Sequence, residues 1–284
     1  DNGSASGSAY IFKRDGTTWN QQAKLTASDG AERDHFGHSV SINGDYVVVG
    51  AYKDDDNGTD SGSAYVFKRD GTTWNQQTKL LASDGATNDN FGFSVSINGD
   101  YVIVGSYRNA DNGSYSGSAY VFKRDGTTWN QQAKLTANDA AVYDYFGYSV
   151  SINGDNVVVG AFGDDDNGQN SGSVYIFKRD GTTWSQQAKL TASDGATYDY
   201  FGLSVSINGD YVVVSAQYDD DNGTDSGSAY VFGLTESDYI SNITASIVED
   251  TSTTINVLSY IYPGWDTIHI KNSAGIEILT SANT

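Results

Sequence analysis

The chain has 284 residues, a formal net charge of −20, one proline, and neither cysteine nor methionine. Without cysteine there can be no disulfide and no thiolate metal site, and so acidic a surface repels nucleic acid and anionic lipid. No apolar run approaches the ~18 residues of a membrane-spanning helix, so membrane insertion is not expected.

The chain opens on Asp1-Asn2-Gly3, which reads as a processed or excised piece of a longer protein. Its dominant feature is a repeat. Phe-Gly recurs at Phe36, Phe91, Phe146 and Phe201, a step of 55 residues. Trp19, Trp74, Trp129 and Trp184 keep the same step, as does Ser-Gly-Ser-(Ala/Val)-Tyr-(Val/Ile)-Phe from Ser6, Ser61, Ser116, Ser171 and Ser226. A fixed period of this length signals a propeller or another repeat array.

Residues 1–30 hold only the third and fourth strands of one unit. The first complete unit starts at Phe36. Phe36–Ile42 alternates, with Val40 and Ile42 on one face and Ser39 and Ser41 on the other. Asn43-Gly44 suggests a type I′ hairpin, in which both central residues have positive φ. Tyr46–Val49 is a β-branched run suited to a strand buried on both faces. An acidic loop, 52–62, leads to a third strand, Ser63–Lys68, and Asp70-Gly71 makes a second hairpin. In the last strand, Thr73–Leu81, strict alternation puts Trp74, Gln76, Thr78 and Leu80 on one face and Asn75, Gln77 and Lys79 on the other. Its polar groups suit an outer edge. Four short antiparallel strands per unit match one propeller blade. Complete units recur at 91–137 and 146–192, and 201–232 holds strands one to three. Joining the two partial units gives five strands where a blade needs four. Either the chain is cut from a longer propeller, or the surplus edges are completed by the tail or by a neighbouring molecule.

These residues resemble the FG-GAP repeat family, best known from integrin α-chain propellers. The resemblance rests on Phe36-Gly37, Val48–Ala51 and Ser61–Phe67, covers roughly residues 1–233, and looks closest to a bacterial-type variant with Asp-Gly-Ala-x-x-Asp-x-Phe-Gly, as at Asp84–Gly92. It implies an all-β propeller of four-stranded blades, four to five in this chain, exposed outside the cell and used for adhesion or ligand binding. Integrin-type repeats carry a calcium loop between the first two strands. Here that connection is only Asn43-Gly44-Asp45, so the family's calcium ligands do not carry over.

The acidic loop between strands two and three offers another calcium candidate: Asp54, Asp56 and Asp60, with Asp164 and Asp166, and with Asp219, Asp221 and Asp225. Alternate carboxylates on a glycine-containing loop can supply the oxygens that calcium needs. Asp-Asn-Gly is equally good turn chemistry without metal, and this turn reading weighs slightly more. Asp34, Asp89, Asp144 and Asp199, two residues before each Phe-Gly, are expected to accept backbone hydrogen bonds. Asn2, Asn57, Asn112, Asn222 and Asn242 head Asn-x-Ser/Thr triplets that could accept glycans.

The three histidines, His35, His38 and His269, form no metal or catalytic motif. The carboxylates sit in repeated loops rather than in one convergent pair, so no enzyme is expected. Tyr52, Tyr107, Phe162, Tyr115, Tyr143, Tyr145, Tyr148 and Tyr200 at variable positions suit sugar recognition or blade packing. After residue 233 the repeat stops, and 234–284 reads as a small β module resembling part of a cadherin-like or immunoglobulin-like repeat. Its candidate strands are 245–251, 254–258, 267–270 and 276–279. The expectation is a non-enzymatic extracellular structural or adhesive protein that self-assembles through unpaired strands, as a filament or surface layer. The alternative is a calcium-dependent, carbohydrate-binding propeller.

Overall fold

The computed structural model describes residues 3–234 in full and the backbone of 241–243, 268–271 and 277–281. Candidate strands 245–251 and 254–258 lie outside the described residues. Every described regular element is a strand. The first two, β1 (Ala9–Asp15) and β2 (Thr18–Leu25), form a hairpin. Three four-stranded antiparallel sheets come next. They are β3 (Val40–Asn43), β4 (Tyr46–Ala51), β5 (Ser63–Asp70) and β6 (Thr73–Leu80); β7 (Ser94–Asn98), β8 (Tyr101–Ser106), β9 (Ser118–Asp125) and β10 (Thr128–Leu135); and β11 (Ser149–Asn153), β12 (Asn156–Ala161), β13 (Ser173–Asp180) and β14 (Thr183–Leu190). The last large sheet joins β15 (Phe201–Asn208), β16 (Tyr211–Ala216) and β17 (Ser228–Gly233) to β18 (Ser241–Ile243). A segment beyond the repeat therefore takes the fourth place. β19 (Ile268–Lys271) and β20 (Glu277–Ser281) form a separate hairpin.

The strands match the sequence pattern with three differences. First, in the interior sheets strand one starts after Phe-Gly, which instead forms a parallel bridge to the preceding unit, as at Gly62↔Phe91. Second, the hairpins are not type I′. Asn43 pairs with Tyr46, so the loop is Gly44-Asp45, and only Gly44 has positive φ. Glycine first is the type II′ arrangement, and Gly71 repeats it between Asp70 and Thr73. Third, strict alternation fails in strand four. Phe67 pairs with Gln76 but Val66 pairs with Thr78, leaving Gln77 as a bulge. A bulge reverses the facing of the strand residues beyond it. Lys79 thus lies opposite Tyr65, on the Trp74 side, and Thr78 and Leu80 turn to the other face.

Successive sheets stack face to face and fan out, because their first strands approach more closely than their fourth strands. Each interface is one repeating cluster. Tyr46, Val48, Val66 and Leu80 of one sheet pack on Phe91, Val102, Tyr120 and Phe122 of the next. First strands have an open edge, and its N–H groups are satisfied from the preceding sheet. Val95 N donates to Ser39 Oγ (3.0 Å), Ile97 N to Ser41 Oγ (3.2 Å) and Gly99 N to Asn43 Oδ1 (3.1 Å). At the outer end, Trp74, Trp129 and Trp184 each donate to a glutamine one unit back, Gln22, Gln77 and Gln132, at 3.0 Å. The repeated tryptophan is thus a junction residue.

The approach is closest at glycine. A Cβ on Gly105 would lie 1.9 Å from the carbonyl oxygen of Gly147 in the next sheet. Gly50 and Gly160 repeat this contact, but the last copy has Ser215. We expect Gly105→Ala to destabilise the fold by about 1–3 kcal/mol or more, since the collision is with backbone. Ser215→Gly should cost less than about 1 kcal/mol. Chemical denaturation of both variants checks this, and equal losses would contradict the interface.

Candidate functional site

The bulge in strand four assembles a polar cluster at the acidic loop of each of the three complete units. In the first full unit Asp54 is buried at the loop entrance. Its Oδ1 accepts from Ser63 Oγ (2.9 Å) and Asp56 N (3.2 Å), and its Oδ2 accepts from Tyr65 OH (2.9 Å) and Lys79 Nζ (3.0 Å). Lys79 also reaches Asp29 (2.9 Å) from the preceding unit and Asp56 (2.6 Å). Tyr65 OH is shared with Asp29 (3.0 Å). The third full unit repeats this with Lys189 among Asp139 (2.8 Å), Asp164 (2.9 Å) and Asp166 (2.6 Å), beneath Tyr175. In the second, Asn109 replaces the buried aspartate, and Lys134 pairs with Asp84 (2.7 Å) and Asp111.

This geometry sets the charges. Burial opposes the Lys79 charge, but its hydrogen bonds to Asp56, Asp29 and Asp54 outweigh it and hold the ammonium above its ordinary range. Burial likewise pushes Asp29 up, yet Lys79 and Tyr65 bring it below the usual carboxylate range. Burial and then Asp54 push the Tyr65 phenol far up, so it stays a donor.

The calcium candidates separate under this geometry. Asp54 and Asp56 flank the Lys79 ammonium, and Asp164 and Asp166 flank that of Lys189. Ligand oxygens of Asp139, Asp164 and Asp166 lie within 4.8 Å of one another, a spacing that suits a cation, and Lys189 supplies it. The residues present in these units therefore fit an internal ammonium rather than calcium. Asp60 makes contacts of its own. Its N–H donates to Asp55 (2.7 Å), and its carboxylate lies 3.6 Å from Lys53. Asp225 N–H donates likewise to Asp220 (2.7 Å). In the last unit Asp219 accepts from Ser228 Oγ (2.9 Å) and Tyr230 OH (3.0 Å), and Asp194 accepts from Tyr230 OH (2.8 Å). Among the described residues no lysine enters that cluster. Burial, then Asp219 and Asp194, raises Asp221. Sequence reading missed Asp29, Tyr65 and Lys79. Their common 55-residue step was visible, but the bulge that brings them together was not.

The aspartates before Phe-Gly behave as turn residues. Asp34, Asp89, Asp144 and Asp199 accept from the N–H of Ala31, Ala86, Ala141 and Ala196, at 2.6–2.9 Å. Burial, reinforced by Asp164 and opposed by the Ala141 N–H, raises Asp144 to about 6.

Above these clusters runs a row of rings that crosses the sheets. His38 contacts Tyr52 and Phe93; Phe93 contacts Tyr107 and Tyr148; Tyr148 contacts Phe162; Phe162 contacts Tyr200; and Tyr200 contacts Tyr218. Tyr145 lies parallel to Phe162 (4.9 Å, 1°).

The clusters can be tested through their charges. Lys189→Met leaves three carboxylates facing one another and should cost about 2–4 kcal/mol, at or below the usual loss for a broken buried pair because two of them are half exposed. The same variant should show a larger calcium-dependent rise in Tm than the wild type, since binding to the folded state alone stabilises it. Thermal melts with and without calcium check both. For Asp144 the folded pKa is raised, so its contribution to stability is full below about pH 4 and is lost as pH rises through about 6. Asp144→Asn should therefore raise Tm at pH 8 and leave it little changed at pH 4. A pH series of melts tests the sign.

A search of the curated proteins finds no match. Among solved structures, the crystal structure of Saccharomyces cerevisiae Sqt1 is similar over 70% of this chain at 12% identity, with a TM-score of 0.41. The aligned region spans 45% of that structure's chain. At that level the likeness carries no functional argument. The FG-GAP repeat model matches residues 19–67, 74–122, 129–177 and 184–232. Each match runs from the repeated tryptophan of one sheet to the phenylalanine of strand three in the next, across the interface described above. With more than half of its length covered in this way, the chain belongs to the FG-GAP repeat family.

Proposed function

We propose that this chain is a non-enzymatic structural and adhesive protein of the cell exterior, built as an FG-GAP propeller of the bacterial type and continued by an immunoglobulin- or cadherin-like β module. The observation that carries this reading is where the copies differ. Most of the 55-residue unit is nearly verbatim, but one rim varies. Its positions are Arg33/Asn88/Tyr143/Tyr198, His35/Asn90/Tyr145/Tyr200, His38/Phe93/Tyr148/Leu203 and Tyr52/Tyr107/Phe162/Gln217. An invariant scaffold with a variable aromatic rim suits recognition of an external surface. Catalysis would call for one convergent set of acid and base groups.

Self-association has support at one face. Tyr10, Phe12 and Trp19 are 51%, 52% and 65% exposed, while their counterparts in the second full unit, Tyr120, Phe122 and Trp129, are 0–7% exposed. A face that the interior copies bury is suited to a further repeat unit or a second molecule. The opposite end is less suited to the same packing, because Ser215 stands where that packing needs glycine. Assembly is therefore expected through β1–β2. Sedimentation velocity and electron microscopy over a wide concentration range should show oligomers that Trp19→Ser weakens. Isolated particles at every concentration would remove self-assembly from the reading.

The second reading, a calcium-dependent glycan-binding propeller, is favoured by the last acidic cluster, where Asp194, Asp219 and Asp221 have no lysine among the described residues and Asp221 is raised. Calorimetric calcium titration should then show one site that Asp219→Asn abolishes. A flat titration would rule out this reading.

A further inference from the structure

We propose that the rim at the second and third sheet junctions, carried by Tyr143 and Tyr145 and repeated by Tyr198 and Tyr200, is a binding site for a neutral oligosaccharide. The proposal rests on the adhesive reading and names its ligand class. Three observations support it.

The first is backbone conformation. Tyr115, Tyr143, Tyr145, Tyr198 and Tyr200 have φ of 56°, 69°, 57°, 73° and 53°. Left-handed backbone is uncommon outside glycine, and for a bulky ring it is an outlier that needs a reason. The fold does not require tyrosine there. The equivalent positions in the preceding copy are Asn88 and Asn90, with φ of 69° and 56°, and asparagine tolerates this region far better. The tyrosines are thus placed against local preference, twice, in neighbouring copies.

The second is shape. Tyr143 and Tyr198 are 51% and 46% exposed. Behind Tyr143, the Tyr145 ring stacks on Phe162, and Tyr115 contacts both tyrosines. Gly163 replaces the side chains found at Lys53, Arg108 and Tyr218. A Cβ there would lie 2.8 Å from Tyr145 Cδ2 and 2.1 Å from Tyr143 O, so glycine leaves the ring pair room. The result is a half-open wall of ring faces and phenol groups at a sheet junction.

The third is polarity. Each tyrosine offers a hydroxyl beside its ring. Tyr198 OH donates to Gln169 Oε1 (2.7 Å), which orients that phenol. The Arg108 guanidinium lies 5.3 Å from the Tyr107 ring and 5.5 Å from the Tyr115 ring, at the edge of the wall. Ring faces take the C–H side of a pyranose, and hydroxyls, amides and a guanidinium take its oxygens. A net charge of −20 disfavours polyanionic chains, which leaves neutral sugars.

The test uses the whole chain and neutral tetrasaccharides of glucose, galactose and N-acetylglucosamine, with a lysine-rich unstructured peptide as control, read by titration calorimetry. At least one tetrasaccharide should bind. Tyr143→Asn/Tyr145→Asn, which installs the residues of the preceding copy, should weaken binding about tenfold or more and leave Tm unchanged or higher, because the left-handed positions relax. Loss of Tm would make these tyrosines structural and overturn the proposal. Binding of the peptide but of no tetrasaccharide would overturn it in favour of a protein ligand. Attachment of the intact chain to cells without tetrasaccharide binding would overturn the ligand class and leave the adhesive reading standing.

Discussion

Successive sheets of this protein meet through bare backbone. The carbonyl of Gly92 lies where a Cβ of Gly50 would stand, and Gly62 bridges the backbone of Phe91. Two pleated sheets approach this closely only where side chains are absent. The rest of the junction depends on that distance. Ser39 and Ser41 can reach the open N–H edge of β7 because the first strands are held together, and Phe91 can enter the cluster around Val48 and Val66 for the same reason. The unit repeats because this contact does. Where Ser215 replaces the glycine, the outward Tyr211 and Val213 remain exposed.

A second constraint is electrostatic. The chain carries a large excess of carboxylates, and its acidic loops place several side by side. Left alone they would repel one another across a partly buried site. A single extra residue in strand four turns Lys79, Lys134 and Lys189 toward them, so three loops carry their own counter-charge. The first rim position lies on the same loop, with Tyr52 two residues before Asp54. That arrangement joins scaffold to surface. Neutralised loops hold the backbone, and the rim above them can vary, even to tyrosines at left-handed positions, without loss of register.

Much of the fold was legible because it depends on local chemistry. Alternation at Val40–Ile42, the β-branched run at Val47–Val49 and the glycine hairpins reported four strands per unit, as found. The turn aspartates before Phe-Gly were legible for the same reason, since Asp34 bonds a backbone three residues away. The misreadings all involve pairing partners. Asn43-Gly44 looked like the centre of a type I′ turn, but the register makes Asn43 the last strand residue. Lys79 read as an outward edge charge because strict alternation placed it with Asn75 and Gln77. For Asp60, grouped with Asp54 by spacing alone, the structure adds an ion-pair neighbour, Lys53, that sequence spacing does not show.

The sequence by itself determined the unit: its length, its strands, its turns and the faces of strands one and two. These are set by residues within a few positions of each other, and the 55-residue period repeats them. Only the tertiary structure decided what stands across each junction. Asp29, Asp54, Tyr65 and Lys79 meet through a bulge and a sheet interface, and the rim tyrosines gather from separate units. Contacts between elements depend on register and approach distance, and neither quantity is written in the order of residues along one strand.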